Sequence, residues 1–86
     1  MNLNTPTAEP IGEQLSQALR NSLTKYFTNL DGAEPNNIYK LVLKQMERPL
    51  LEIVMLHANN NQSKAAQWLG LSRNTLRKLL ADYGLT

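Results

Sequence analysis

QSKAAQWLGLSRNTLRKLLA, residues 62–81, decides how this chain is read. It divides into two short helical stretches around a glycine. Ala65, Ala66 and Leu69 mark the apolar side of the first. Gly70 breaks the pattern where a tight turn needs a residue free to take positive φ. Ser72 is placed to cap the second helix by accepting a backbone N–H one turn on. Leu76, Leu79, Leu80 and Tyr83 then recur at i, i+3, i+4 and i+7, forming one apolar face. Arg73, Asn74, Arg77 and Lys78 lie off that face. This spacing predicts a helix-turn-helix, a unit whose second helix enters a DNA major groove.

Eighty-six residues allow a single domain. So short a chain buries little of its own surface, which favours a core shared between copies. The hydrophobic share, 42%, suits a globular protein. There is no cysteine, hence no disulfide framework and no thiolate metal site. No apolar run approaches the roughly 18 residues of a membrane span. Residues 1–12 lack the basic start and apolar centre of a secretory signal. The expected setting is therefore the cytoplasm. The net charge of +2 is unevenly spread. Residues 62–86 carry Lys64, Arg73, Arg77 and Lys78 against Asp82, net +3, and residues 1–61 carry five basic and six acidic residues, net −1. Such asymmetry suits a polyanionic partner at one end, and it also describes an ordinary solvated basic face.

Upstream of that unit, residues 1–12 (MNLNTPTAEPIG) have two prolines and no apolar period, and read as a mobile arm. Residues 13–30 read as a helix, with Leu15, Leu19, Leu23, Tyr26, Phe27 and Leu30 along one side. Asp31-Gly32 ends it. Residues 32–37 form a loop in which Asn36 or Asn37 caps the next helix. Residues 38–58 form a second long helix. Twelve of its nineteen residues from 38 to 56 are apolar and do not fit a single stripe. A helix apolar on several sides must be covered on several sides. A second copy of the chain is the economical cover, and two-fold dimers are the commonest soluble oligomers. Pro49 within this helix implies a kink, or two helices in place of one. Glu47 and Arg48 read as solvated, and Lys40, Lys44 and Arg48 as an exposed basic row. His57, the single histidine, has no sequence neighbour that would make it a ligand or a base.

The candidate DNA contacts gather at two helix starts. Arg73 and Asn74 open the second helix of the unit, the end that reaches base edges. Arginine binds guanine O6 and N7 bidentately, and asparagine is suited to adenine. Ser72 and Thr75 offer hydroxyls to phosphate or base, with Ser72 also the expected cap. Arg77 and Lys78 suit phosphate clamping. Asn61, Ser63 and Lys64 surround the start of the first helix, where free N–H groups and the helix dipole attract phosphate. Trp68 reads as packing between the helices.

Taken together, LDG at 30–32, IYKLVLKQMERPLLEIVM at 38–55 and NNQSKAAQWLGLSRNTLRKLLADYGL at 60–85 resemble the Fis proteins, the bacterial factors for inversion stimulation. The resemblance runs from Leu15 to the C-terminus and includes the internal proline. The last forty or so residues are also similar to the helix-turn-helix of NtrC-type activators. The Fis resemblance implies a homodimer of four-helix subunits, nucleoid association, DNA bending and regulation of transcription. It implies two recognition helices closer than one DNA turn, so that the duplex bends to receive both. It assigns Arg73 to base reading, and Asn61, Ser63, Thr75, Arg77 and Lys78 to phosphate or groove contacts. Ser72 replaces the family's usual asparagine at a base-facing position. Leu79, Ala81 and Asp82 stand where family members often carry lysines, which implies fewer contacts to flanking DNA. The family's best-known arms form a β-hairpin that activates an invertase. Residues 1–12 show no alternating strand pattern.

The expectation is thus an all-α chain with four helices per subunit, a C-terminal helix-turn-helix and an intertwined homodimer. Its parts are a mobile arm at 1–12, a two-helix dimerisation core at 13–58 and a DNA-binding unit at 59–86. Its partners are double-stranded DNA and a second copy, with no membrane, no cofactor and no metal. Contacts to RNA polymerase or a recombinase are not legible. The rival is a dimeric interaction module whose basic end binds an acidic protein. Without cysteine, paired catalytic carboxylates or a glycine-rich phosphate loop, an enzyme is not expected.

Overall fold

A computed structural model describes residues 9–86, with side chains from residue 11 onward. The described residues form four α-helices and no strand: α1 (Glu9–Thr28), α2 (Ile38–His57), α3 (Gln62–Leu69) and α4 (Arg73–Asp82). The chain divides into two compact units, Met1–Asn36 and Asn37–Thr86. The division falls before α2.

In the first unit, α1 starts four residues earlier than the spacing predicts. Glu9 to Gly12, assigned above to the arm, form its first turn. Pro10 fits this turn, because a proline in the first turn forfeits only an N–H that has no helical partner. The remainder of the arm, residues 1–8, lies outside the described residues. Leu23, Tyr26 and Leu30 are half-buried, while Ile11, Leu15, Leu19 and Phe27 are exposed. The Tyr26 and Phe27 rings meet edge to face at 5.7 Å, a favourable aromatic geometry. Asp31 and Gly32, both at positive φ, turn the chain away from the helix.

In the second unit, α2 follows a left-handed Asn37 (φ 55°) whose side chain makes no capping bond. The cap position is as predicted, and the capping chemistry is not. The helix runs through Pro49 as one element. It ends on Ala58, and Asn59 and Asn60 then take left-handed conformations at φ 54° and 61°, which asparagine tolerates better than most residues. The Asn60 N–H returns to the Met55 carbonyl at 2.9 Å and the Asn61 N–H to Ala58 at 3.0 Å. These bonds satisfy carbonyls that the helix end would otherwise leave bare.

α3 packs against both α2 and α4. The core of the unit consists of Leu51, Met55, Ala58, Ala65, Ala66, Leu76 and Leu80, with Val54, Leu69, Leu79, Tyr83 and Leu85 packed around it. Ala58, Ala65 and Ala66 are at most 2% exposed, so their small side chains let three helices approach closely. Leu51, Leu76 and Leu80 fill the space between. Each such leucine contributes about 1.5–3 kcal/mol of burial. Another side of α2 is left open: Tyr39, Leu43, Met46, Leu50 and Ile53 are all exposed. Their spacing of four, three, four and three residues is the seam pattern of paired helices.

Candidate nucleic-acid interface

Local chemistry sets the two helix starts. Asn61 takes an extended conformation, and its side-chain oxygen accepts the Lys64 N–H at 3.0 Å. α3 then runs for eight residues and stops at Gly70, whose φ of 74° is left-handed. The Leu71 N–H bonds back to Ala66 at 2.9 Å, closing the turn. Ser72 is extended in turn and caps α4, its hydroxyl accepting the Thr75 N–H at 3.1 Å. Glycine at the stop and serine at the start is the asymmetry that helix ends favour. The result is a helix-turn-helix with only three residues between its helices.

Leu76 and Leu80, both 0% exposed, anchor α4 on the core. Arg73, Asn74, Arg77 and Lys78 are exposed along the same helix. Arg73 and Arg77 form one i, i+4 row, and Asn74 and Lys78 another. The backbone N–H groups of Arg73 and Asn74 sit in the first turn, where no intrahelical acceptor exists. The Ser72 hydroxyl donates to Thr75 Oγ1 at 2.9 Å while accepting from Thr75 N. Ser72 thus spends its proton within the cap and keeps one lone pair for a ligand. Thr75, accepting from Ser72, keeps its own O–H to donate outward.

The start of α3 adds Asn61, Ser63 and Lys64, all exposed. Asn61 uses its oxygen for the cap and retains its NH2 donors. Lys64 lies over the Trp68 ring, 5.8 Å from its centroid. Trp68 itself is 56% exposed. This corrects the expectation that it packs between the helices: Ala65, Ala66 and Leu69 take the inner face, and Trp68 falls outside their arc. All nine candidate contact residues are therefore solvent-facing, six on or beside the start of α4 and three at the start of α3.

Glu47 departs from its reading as solvated, while Arg48 is exposed as expected and yet hydrogen-bonded. The Tyr83 hydroxyl donates to Glu47 Oε1 at 2.6 Å. Arg48 Nη2 donates to the Tyr83 main-chain carbonyl, and its guanidinium lies 5.9 Å from the Tyr83 ring centroid. The hydrogen bond to Glu47, then desolvation and the carboxylate charge, push the Tyr83 phenol up from 10.0 to about 12. The Tyr83 carbonyl that Arg48 binds lies at the C-cap of α4, the negative end of the helix. The sequence carries no periodic sign of these bonds, since the partners lie 35 and 36 residues apart. Lys40 and Lys44 line an open groove of about 510 Å³ with Leu43, Glu47, Leu79, Asp82 and Tyr83. His57 is exposed, as expected for a surface residue. Among the described residues no cluster of acidic, histidine or cysteine side chains could hold a metal ion. No described helix is long and apolar enough to cross a membrane.

Comparison with known proteins places this geometry in context. A family model described as bacterial regulatory protein, Fis family, matches residues 42–83. A putative Fis-like DNA-binding protein of Ralstonia nicotianae is 54% identical over 71 residues, covering 83% of this chain and 92% of that protein. A putative Fis-like DNA-binding protein of Neisseria meningitidis is 52% identical over 71 residues, covering 83% and 90%. The DNA-binding protein Fis of Glaesserella parasuis is 47% identical over 76 residues, covering 88% and 74%.

Proposed function

The chain belongs to the Fis family of bacterial regulatory proteins, and from that premise we propose that it acts as a homodimer that binds and bends double-stranded DNA to regulate transcription on the bacterial nucleoid. DNA binding is supported directly by the relatives, which are named for it. The observation that carries the reading to residues is the two-sidedness of α4. Leu76 and Leu80 are fully buried, and Arg73, Asn74, Arg77 and Lys78 are exposed on the same ten-residue helix. A helix held by one face and cationic on the rest is what major-groove docking requires.

In this reading Arg73 reads guanine through O6 and N7, and Asn74 lies beside it against the groove. Arg77 and Lys78 neutralise phosphates. Thr75 donates its free hydroxyl proton to a phosphate oxygen, and Ser72 serves first as the cap that orders this end. Asn61, Ser63 and Lys64 seat a further phosphate at the start of α3, helped by the helix dipole. Lys64 leaves the face of Trp68 to do so. The exposed stripe Tyr39, Leu43, Met46, Leu50 and Ile53 is the dimer face, and each protomer brings one reader. Both readers then address one duplex, and the ease of bending a site contributes to its selection. The reaction is binding alone and calls on no catalytic group.

A band-shift titration across salt concentrations tests the reading. Four or more neutralised phosphates should give a slope of log affinity against log salt of about −3.6 or steeper. A salt-independent interaction, or tight binding to an acidic polypeptide with none to duplex DNA, would contradict it.

A further inference from the structure

Pro49 divides α2 into two parts with different attachments. It has no N–H to give the Gln45 carbonyl, so the helix lacks one internal bond there. After Pro49, Leu51 and Met55 are buried in the core with α3 and α4. Before it, no residue of α2 is buried. Most of the exposed apolar stripe, Tyr39, Leu43 and Met46, also lies before it. Among the described residues, the side-chain hydrogen bonds from this earlier half to the rest of the unit are those of Glu47 and Arg48, which hold the two ends of one residue. Glu47 takes the Tyr83 hydroxyl proton, and Arg48 binds the Tyr83 carbonyl. Among the described residues, the other side-chain hydrogen bonds span no more than four positions.

We propose that Glu47, Arg48 and Tyr83 form a clamp that carries the geometry of α2 across Pro49 and so fixes the separation of the two recognition helices in the dimer. The three are positioning residues for the choice of half-site spacing, and touch no DNA themselves. The inference rests on the DNA-binding dimer proposed above. The clamp sits where a small angular error matters most. A rotation of about 10° at Pro49, acting over the roughly 13 Å of helix from Pro49 to His57, displaces its far end by about 2.3 Å, some two-thirds of a base-pair step. The core with α3 and α4 holds only the half of α2 after Pro49, and of the seam only Leu50 and Ile53 reach past the proline, so the bonds from Glu47 and Arg48 are what join the earlier half directly to α4. Glu47 and Arg48 bind from the other half. The raised Tyr83 phenol keeps the donated proton in place throughout the neutral range.

The test uses a palindromic duplex recovered by selection from random sequence, rebuilt with its half-sites moved apart or together one base pair at a time, and a duplex with a single half-site. The unmodified chain should show an affinity peak at one separation. Combining Tyr83→Phe with Arg48→Gln disrupts both bonds and should lower affinity at that separation at least roughly fivefold, the factor of a single ordinary hydrogen bond. Neighbouring separations and the single half-site should be unaffected, so the peak flattens. A profile of unchanged shape would overturn the proposal, whether its height is kept or falls equally at every separation. Should the double variant fail to fold by circular dichroism, Tyr83→Phe alone, which keeps the ring beneath Arg48, is read by the same change of shape. An unmodified chain that binds DNA without a preferred separation overturns the clamp and leaves DNA binding intact. One that binds no duplex overturns both.

Discussion

Leu51 and Met55 on one side of α2, and Leu43, Met46, Leu50 and Ile53 on another, are the same kinds of side chain on one helix. The first two are 2% and 8% exposed, and the other four are between 37% and 54% exposed. The difference lies in what the single chain can supply as cover. α3 and α4 bring Ala65, Ala66, Leu76 and Leu80 against the first side. The reader is therefore complete within one chain, down to its caps at Asn61 and Ser72. Its mount is not, because a seam of five apolar residues faces water. Four of them alone represent several kcal/mol of unrealised burial at about 1.5–3 kcal/mol each. A second copy presenting the same seam offers cover of matching chemistry. In the proposed dimer, the pairing of the readers would come from this uncovered side of α2 and not from the reader itself.

Substitutions on the two sides should behave differently. The largest effect is expected inside the finished reader: Leu76→Ala should cost about 2–5 kcal/mol in urea unfolding, and a loss below 1 kcal/mol would break the contrast by showing that side loosely packed. Leu50→Glu probes the open side. On a lone chain it should be nearly neutral, within about 0.5 kcal/mol. In the proposed dimer it buries a charge and should weaken association at least a hundredfold, about 2.8 kcal/mol. The check is whether the melting temperature of the unmodified chain rises with concentration and that of the variant is lower. Arg73→Ala sharpens the functional half of the contrast. It should cost about 1–3 kcal/mol at specific sites and relax preference at one base pair while leaving folding intact; unaltered selectivity in a binding-site selection removes Arg73 from base reading. The smallest effect concerns the link between the two halves. Tyr83 is held protonated to about pH 12, so the folded state binds this proton more tightly than the unfolded one. That stabilisation is full below pH 10 and is lost as pH rises through 12. Ultraviolet titration should show a tyrosinate transition near pH 12 that Tyr83→Phe lacks; an identical titration curve in the variant would refute the bond to Glu47.

The legible parts of the fold were those written in local chemistry. Asn61, Gly70 and Ser72 announce helix ends by what their own side chains and φ angles allow, and the structure uses all three in that way. The periodicity of Leu76, Leu79, Leu80 and Tyr83 likewise marked the side of α4 that packs inward. Other features failed for physical reasons. Residues 9–12 carry no apolar period and so gave no sign of helix, although Pro10 in a first turn is compatible with one. Asn37 kept the place of a cap but entered the left-handed region, so its side chain forms no capping bond. Trp68 was judged by its type, although its position outside the Ala65–Ala66–Leu69 arc already pointed to solvent. Glu47 and Arg48 were out of reach altogether. Their meeting with Tyr83 depends on how α4 returns past α2, and contacts between distant positions leave no repeat in a sequence. Of the candidate site, residue types and spacing identified which side chains α4 could offer. That Ser72 commits its proton to Thr75, leaving Thr75 as the freer donor, required coordinates.

Sedimentation equilibrium of the unmodified chain in the absence of DNA, at micromolar concentration, tests the central claim most directly. A folded species of twice the 9.7 kDa chain mass is expected, held by the seam from Tyr39 to Ile53. A folded monomer of 9.7 kDa under those conditions would contradict it.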